Sequence, residues 1–192
     1  DKAVNEIRWE TRFTAVIGNT PYCNFAQFNR TSFILPLLED YKRGLNEKKL
    51  NLDDDFIKFV RFGQHLLGQT AVGTLGLITN NVFLDGITHR QMRQSLRQSF
   101  SSVRVLDLHG SARKLETEKD GGEENVFEIQ QGVAIELFSR PLAAADSKII
   151  HADLWGTREA KYRELDKNSV RTTKWATIEA SAPYFFFVPK NL

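Results

Sequence analysis

Four short apolar runs, Phe13–Ile17, Thr74–Thr79, Val103–Leu108 and Gln131–Phe138, constrain the fold more than any other feature of this chain. Each has the length and β-branched content of a buried strand. Between the first two lies a segment, 55–67, in which Phe56, Phe59, Val60, Phe62, Leu66 and Leu67 return to one side at helical spacing. Between the second and third lies Thr88–Phe100, where Met92, Leu96 and Phe100 recur every fourth residue and Thr88 stands where an N-cap is wanted. Strand, helix, strand, helix, strand implies parallel pairing through right-handed crossovers, hence an open α/β sheet. The third and fourth runs are joined by Gly110–Asn125, too long for a tight hairpin, so local rules leave the direction of the fourth strand open. Beyond His151 a charged helix is expected near Thr157–Leu165, and the aromatic segment Tyr184–Val188 reads as one short strand.

The chain's 192 residues suffice for one domain with a core. Nothing in Asp1–Glu10 resembles a signal peptide, and no apolar run approaches the roughly 20 residues that cross a bilayer. The single cysteine, Cys23, excludes an internal disulfide framework and fits a reducing cytoplasm. A net charge of +2 permits contact with nucleic acid without arguing for it. His89, Arg90, Arg93 and Arg97 cluster on one expected helix, and Arg158, Lys161, Arg163, Lys167, Arg171 and Lys174 form a second basic stretch; composition alone reads both as solvated faces. No group of His, Cys and carboxylates stands at metal-ligand spacing, so no metal is expected, and no Walker-type glycine-lysine motif is present.

Gly18-Asn19-Thr20-Pro21-Tyr22 follows directly on the first strand, at the carboxyl end where open α/β sheets place their sites. Gly18 allows a sharp exit, and Pro21 fixes its own backbone while pushing Thr20 toward an extended conformation. The product is a stiff loop offering an amide side chain, a backbone carbonyl and an aromatic face, a set suited to a planar base that carries an amino group. The same residues also suit an ordinary strand-ending turn, and the pentapeptide alone favours the turn.

The surroundings of this loop carry a resemblance. Gly18–Tyr22 resembles the Asn-Pro-Pro-Tyr motif of amino-methyltransferases. Lys42–Lys49, Asn51–Asp55, Ile78–Asn81, Leu106–Gly110, Glu124–Gly132, His151–Gly156 and Pro183–Phe187 are similar, in order, to segments of type ISP and type IIG restriction-modification polypeptides. The resemblance implies the C-terminal half of a Rossmann-like class I methyltransferase sheet, mostly parallel with an antiparallel last strand. It implies a DNA adenine-N6 methyltransferase in which 1–192 is the target-adenine part of a larger polypeptide. Asn19 and the carbonyl of Thr20 would accept from the adenine amino group, with Pro21 stiffening the loop. Tyr22 would stack on the flipped base, and Phe127 would touch it from another side, although Phe127 reads equally as a core residue before a strand. Arg90, Arg93 and Arg97 are the candidates for DNA phosphates. The methyl donor implied is S-adenosylmethionine, whose glycine-rich loop and acidic partner are missing here, as are nuclease, helicase and target-recognition segments. The chain departs from the family where Thr20 replaces the motif's first proline, and Thr20→Pro is expected to leave activity unchanged or raise it. Two alternatives stay open: a non-catalytic DNA-binding or assembly module, and a protein glutamine methyltransferase.

Overall fold

Residues 11–22, 31–47, 52–112, 122–142 and 146–190 are described by the computed structural model; Cys23, Lys48, Lys49 and Asn51 lie outside them. The described strands form one six-stranded sheet, in the order β1 (Ala15–Asn19), β2 (Gly73–Asn80), β4 (Val133–Arg140), β3 (Ser102–Asp107), β5 (Lys148–Asp153), β6 (Ala176–Ile178). β1 pairs with β2 and β3 with β5 in parallel, whereas β4 is antiparallel to both β2 and β3, and β6 is antiparallel to β5. The expected α/β class and the reversed fourth run are therefore present, and β1, β2, β3 and β5 share one direction. That fourth run is inserted between its two predecessors and is not the last strand.

The helices are α1 (Ile34–Lys42), α2 (Asp55–Gly68), α3 (Arg90–Ser99) and α4 (Arg158–Lys167). Leu38 and Tyr41 of α1, Phe56, Ile57, Val60 and Leu67 of α2, and Met92 and Leu96 of α3 bury against Leu75, Leu77, Val103, Val105, Phe138 and Ile149 on one face of the sheet. The other face carries a smaller cluster in which Leu108, Val126 and Val133 gather Tyr22, Ile78, Leu106, Phe127, Ile135 and Leu165 of α4. Asymmetric covering explains why β2 and β3 alternate in burial while β1, at the edge, leaves Ile17 92% exposed.

Two local expectations are corrected, and one helix cap appears that the sequence reading does not assign. Thr88 does not cap α3: it sits inside a 3₁₀ turn, Ile87–His89, and no side chain caps the helix that follows. Thr157 does cap α4, accepting from the Ala160 amide. Tyr184–Val188 is not a strand, because Phe185 adopts a left-handed φ of 52° and the segment turns to lay Phe187 against Phe83.

Candidate functional site

β1 delivers Asn19 to the carboxyl end of the sheet, in register with Ile78 of β2. The Tyr22 hydroxyl donates to Asn19 Oδ1 at 2.7 Å. Burial first, then the nearby Glu136 carboxyl group, push the Tyr22 phenol well above its ordinary range, so it keeps the proton it donates. An amide oxygen has two lone pairs, and one stays available on exposed Asn19. Thr20 is buried, and both its amide and its hydroxyl donate to the carbonyl of Ile78, at 3.1 and 3.2 Å. The rigidity of a second proline is thus replaced by two hydrogen bonds to β2. The expectation for Thr20→Pro is corrected accordingly, since proline has neither donor.

A second segment, remote in sequence, closes on this loop. The Phe127 ring lies 5.5 Å from that of Tyr22, tilted by 47°. Residues 122–131 have no regular structure, yet Asn125 organises them: its Nδ2 donates to the carbonyls of Gly110 and Gln131, and its Oδ1 accepts from the Phe127 amide. Gly110 is held to glycine by this contact, because a Cβ there would stand 2.5 Å from Asn125 Cα and φ is +80°. The Asn19–Tyr22 loop thus meets Phe127 through the Tyr22 ring, and Phe127 is half-buried beside the apolar cluster under the loop.

The expected phosphate-binding arginines behave otherwise. Arg93 is fully buried, and its guanidinium donates to the carbonyls of Phe83, Gly86, Tyr184 and Phe185. Burial and the neighbouring Arg90 lower its pKa to about 10 against the opposing pull of Asp85. A side chain so enclosed cannot reach a phosphate, which corrects the assignment of Arg93. Arg90 is held by Glu47 at 2.9 Å and by the Leu45 carbonyl at 2.6 Å. Arg97 lies half-buried over the Phe185 ring, 5.1 Å from its centroid.

Sequence reading also missed a cluster that only folding assembles. Asp107, His109 and Asp153, at the carboxyl ends of β3 and β5, offer donor atoms within 4.8 Å of one another. They line a cavity of about 310 Å³ with Asn81, Trp155 and Lys190. His109 Nε2 lies 2.8 Å from Asp153 and its Nδ1 3.7 Å from Asp107, while Trp155 stacks on the ring at 3.4 Å. Burial pushes Asp153 upward, but the hydrogen bond from His109 and the charges of His151 and His109 outweigh it and hold the carboxyl below its usual value. The imidazole lies between the two carboxylates on the left-handed turn at His109, φ 53°, and the three side chains are close enough together to hold a metal ion, which the sequence reading did not expect. A larger groove of about 530 Å³, lined by Leu106, Ile135, Leu137 and Trp175, contains none of the expected site residues. Glu136, wholly buried in β4, receives the Thr79 hydroxyl at 2.8 Å, while its Oε2 has no partner among the described residues; burial raises its pKa well above the ordinary carboxylate value.

The model of the Eco57I restriction-modification methylase family matches residues 1–113, which include the Asn19–Tyr22 loop. The chain belongs to this family. The structure resembles the ATP-dependent Type ISP restriction-modification enzyme LlaBIII bound to DNA, with a TM-score of 0.84 and 25% identity, over 99% of this chain and 14% of that one. It also resembles a DrdV–DNA complex solved by cryo-electron microscopy (TM-score 0.78, 22% identity, 89% of this chain and 18% of that one). A nuclease-deletion mutant of the Type ISP enzyme LlaGI, in complex with a DNA substrate mimic, gives a TM-score of 0.79 at 20% identity, over 94% of this chain and 19% of that one. No curated protein matches the chain. Among the described residues no helix is long and apolar enough to cross a membrane.

Proposed function

We propose that this chain is the target-adenine part of a DNA adenine-N6 methyltransferase, acting on double-stranded DNA within a longer restriction-modification polypeptide in the cytoplasm. Its sheet then corresponds to the C-terminal half of a Rossmann-like class I methyltransferase sheet, with β4 as the reversed strand. The observation that carries the reading is the position of Tyr22, hydrogen-bonded to Asn19 Oδ1 and in ring contact with Phe127. One hydrogen-bond acceptor and two aromatic surfaces therefore meet at the end of a strand.

An adenine rotated out of the duplex would stack on Tyr22 and meet Phe127 from a second side. Its amino group would donate to the remaining lone pair of Asn19 Oδ1 and to the carbonyl of Thr20. Two acceptors on one amine restore electron density that the ring withdraws, and they hold the nitrogen in a single orientation. The donor in the longer enzyme is S-adenosylmethionine, which supplies an electrophilic methyl group. Among the described residues no glycine-rich turn after a strand is matched by an acid after the next, so none of them is assigned to holding that donor. Arg97, and less so Arg90, remain for phosphate contact; charge reversal of Arg97 should weaken duplex binding regardless of sequence and flatten its salt dependence.

The test is transfer of a labelled methyl group to unmethylated genomic DNA by the polypeptide containing this chain, followed by nucleoside analysis. N6-methyladenine lost in Asn19→Ala, with duplex binding retained, supports the reading. Label appearing on a protein glutamine, or duplex binding with no methyl transfer under any condition, would overturn it.

A further inference from the structure

Residues 122–131 must present Phe127 at a fixed place although they form neither helix nor strand. Their restraint comes from one face of α4. Arg158, Lys161 and Tyr162 stand three and four positions apart, which places them side by side on a helix. Lys161, with no exposed side-chain surface, donates to the carbonyl of Glu124 at 2.6 Å and of Leu108 at 2.7 Å, and pairs with buried Glu123. Arg158 Nε donates to the carbonyl of Asn125 at 2.9 Å, and its Nη2 approaches that of Phe127 at 3.4 Å. The Tyr162 hydroxyl donates to the carbonyl of Val126 at 2.6 Å. Four consecutive carbonyls, 124 to 127, are thus taken by side chains of a single helix.

The grip is mutual. Glu123 accepts from the Gly156 amide and Glu124 from the Arg158 amide, each at 2.8 Å, so the loop's two acids bind the chain leading into α4 and its first turn. Favourable partners for carboxylates at a helix start are expected on electrostatic grounds. Here they lock α4 and the loop into one body. The basic stretch that composition assigned to solvent is, at Arg158 and Lys161, the inner side of this clamp.

We infer that Arg158, Lys161 and Tyr162 are positioning residues for the base-binding aromatic pair: α4 sets the loop's backbone, and the backbone sets Phe127 against Tyr22. This rests on the proposed assignment of Phe127 and Tyr22 to the target base. No member of the clamp touches the base; it acts through the ring it holds. Loss of one carbonyl contact should let Phe127 sample several positions without dismantling the fold, because the apolar cluster beneath the loop remains.

The experiment places 4-fluorophenylalanine at position 127 and compares Tyr162→Phe and Arg158→Gln with the parent chain by fluorine NMR. Each variant, with Phe127→Ala as reference, is also assayed for methyl transfer to unmethylated genomic DNA in the longer polypeptide. The expected result is one sharp resonance in the parent and a broadened or divided one in both variants. Turnover per folded molecule should fall about tenfold to a hundredfold, the penalty of ångström-scale misplacement, with KM for the methyl donor unchanged. Tyr162→Phe removes a single oxygen, so a failure of Arg158→Gln to fold leaves the test intact. An unaltered resonance, or full turnover in Tyr162→Phe where Phe127→Ala is impaired, would overturn the clamp while sparing the base site. Full turnover in Phe127→Ala and Asn19→Ala alike would overturn the base site and the clamp with it.

Discussion

Thr20 is buried with its amide and hydroxyl both directed at the Ile78 carbonyl, and proline at this position would delete both donors. Thr20→Pro is therefore expected to cost about 1–3 kcal/mol of stability, the price of a buried acceptor left unmet, and to lower rather than raise methyl transfer. Thr20→Ser, which keeps both donors, should be nearly neutral; thermal melts alongside the transfer assay distinguish the two. Tyr22→Phe keeps a stacking surface worth about 1–3 kcal/mol per base, but it releases Asn19 Oδ1. Its turnover should fall between that of native enzyme and Tyr22→Ala, and turnover equal to native would show that the hydroxyl does not orient the amide. Glu136 makes a prediction in pH. Its folded-state pKa is raised by burial, so the stability it supports is complete below the ordinary carboxylate range and declines as pH rises toward the raised value. Glu136→Gln has no proton to lose, and its melting temperature should gain on the native protein as pH rises from the ordinary carboxylate range toward the raised value. A difference that does not change with pH would contradict this. Asn19 and Tyr22 were legible in sequence because glycine, proline and an amide at a strand end are local signals. The Tyr22–Asn19 hydrogen bond and the raised pKa of Glu136 were not, since the first depends on how the loop turns and the second on how deeply the sheet buries β4.

Among the elements, α3 shows why charge alone misleads. Its arginines occupy three positions on ten residues, and nothing in the sequence marks Arg93 as the one facing inward. The difference is made by the aromatic turn at 184–187, whose carbonyls have no strand partner and take the guanidinium instead. Replacing Arg93 with methionine should cost about 3 kcal/mol or more, because several buried acceptors lose a charged donor together. Urea unfolding would measure the loss, and proteolysis should reach the 184–188 segment faster in the variant. A change within experimental error would show that these carbonyls find water instead. The four strands β1 to β4 were readable as apolar runs, and helices α2 and α3 from their apolar stripes. α1 was not, nor was β5, whose Lys148–Asp153 mixes lysine, histidine and aspartate into a strand buried mainly at Ile149, His151 and Ala152. β6 is only three residues long and mostly exposed.

For the molecule as a whole, the edge at β1 stands apart. Among the described residues no strand pairs with its outer side, and Ile17 lies 92% exposed. Such an edge invites pairing with a second chain, and covering the isoleucine is worth about 2 kcal/mol. The purified 192-residue chain should therefore self-associate with rising concentration, and Ile17→Lys should suppress this in sedimentation velocity. A native chain that stays monomeric throughout would refute it. The placement of β4 bears on biosynthesis. A ribosome releases β2 and β3 well before residues 133–140, so the nascent sheet holds two facing strand edges with a slot between them. Until β4 enters that slot, both edges are open to wrong partners, and the loop that carries Phe127 has nothing to anchor it. α4, which grips that loop, is translated later still. Asn19 and Tyr22 precede β2, β3 and β4 in the chain, yet they wait for residues more than a hundred positions downstream before Phe127 is set against them.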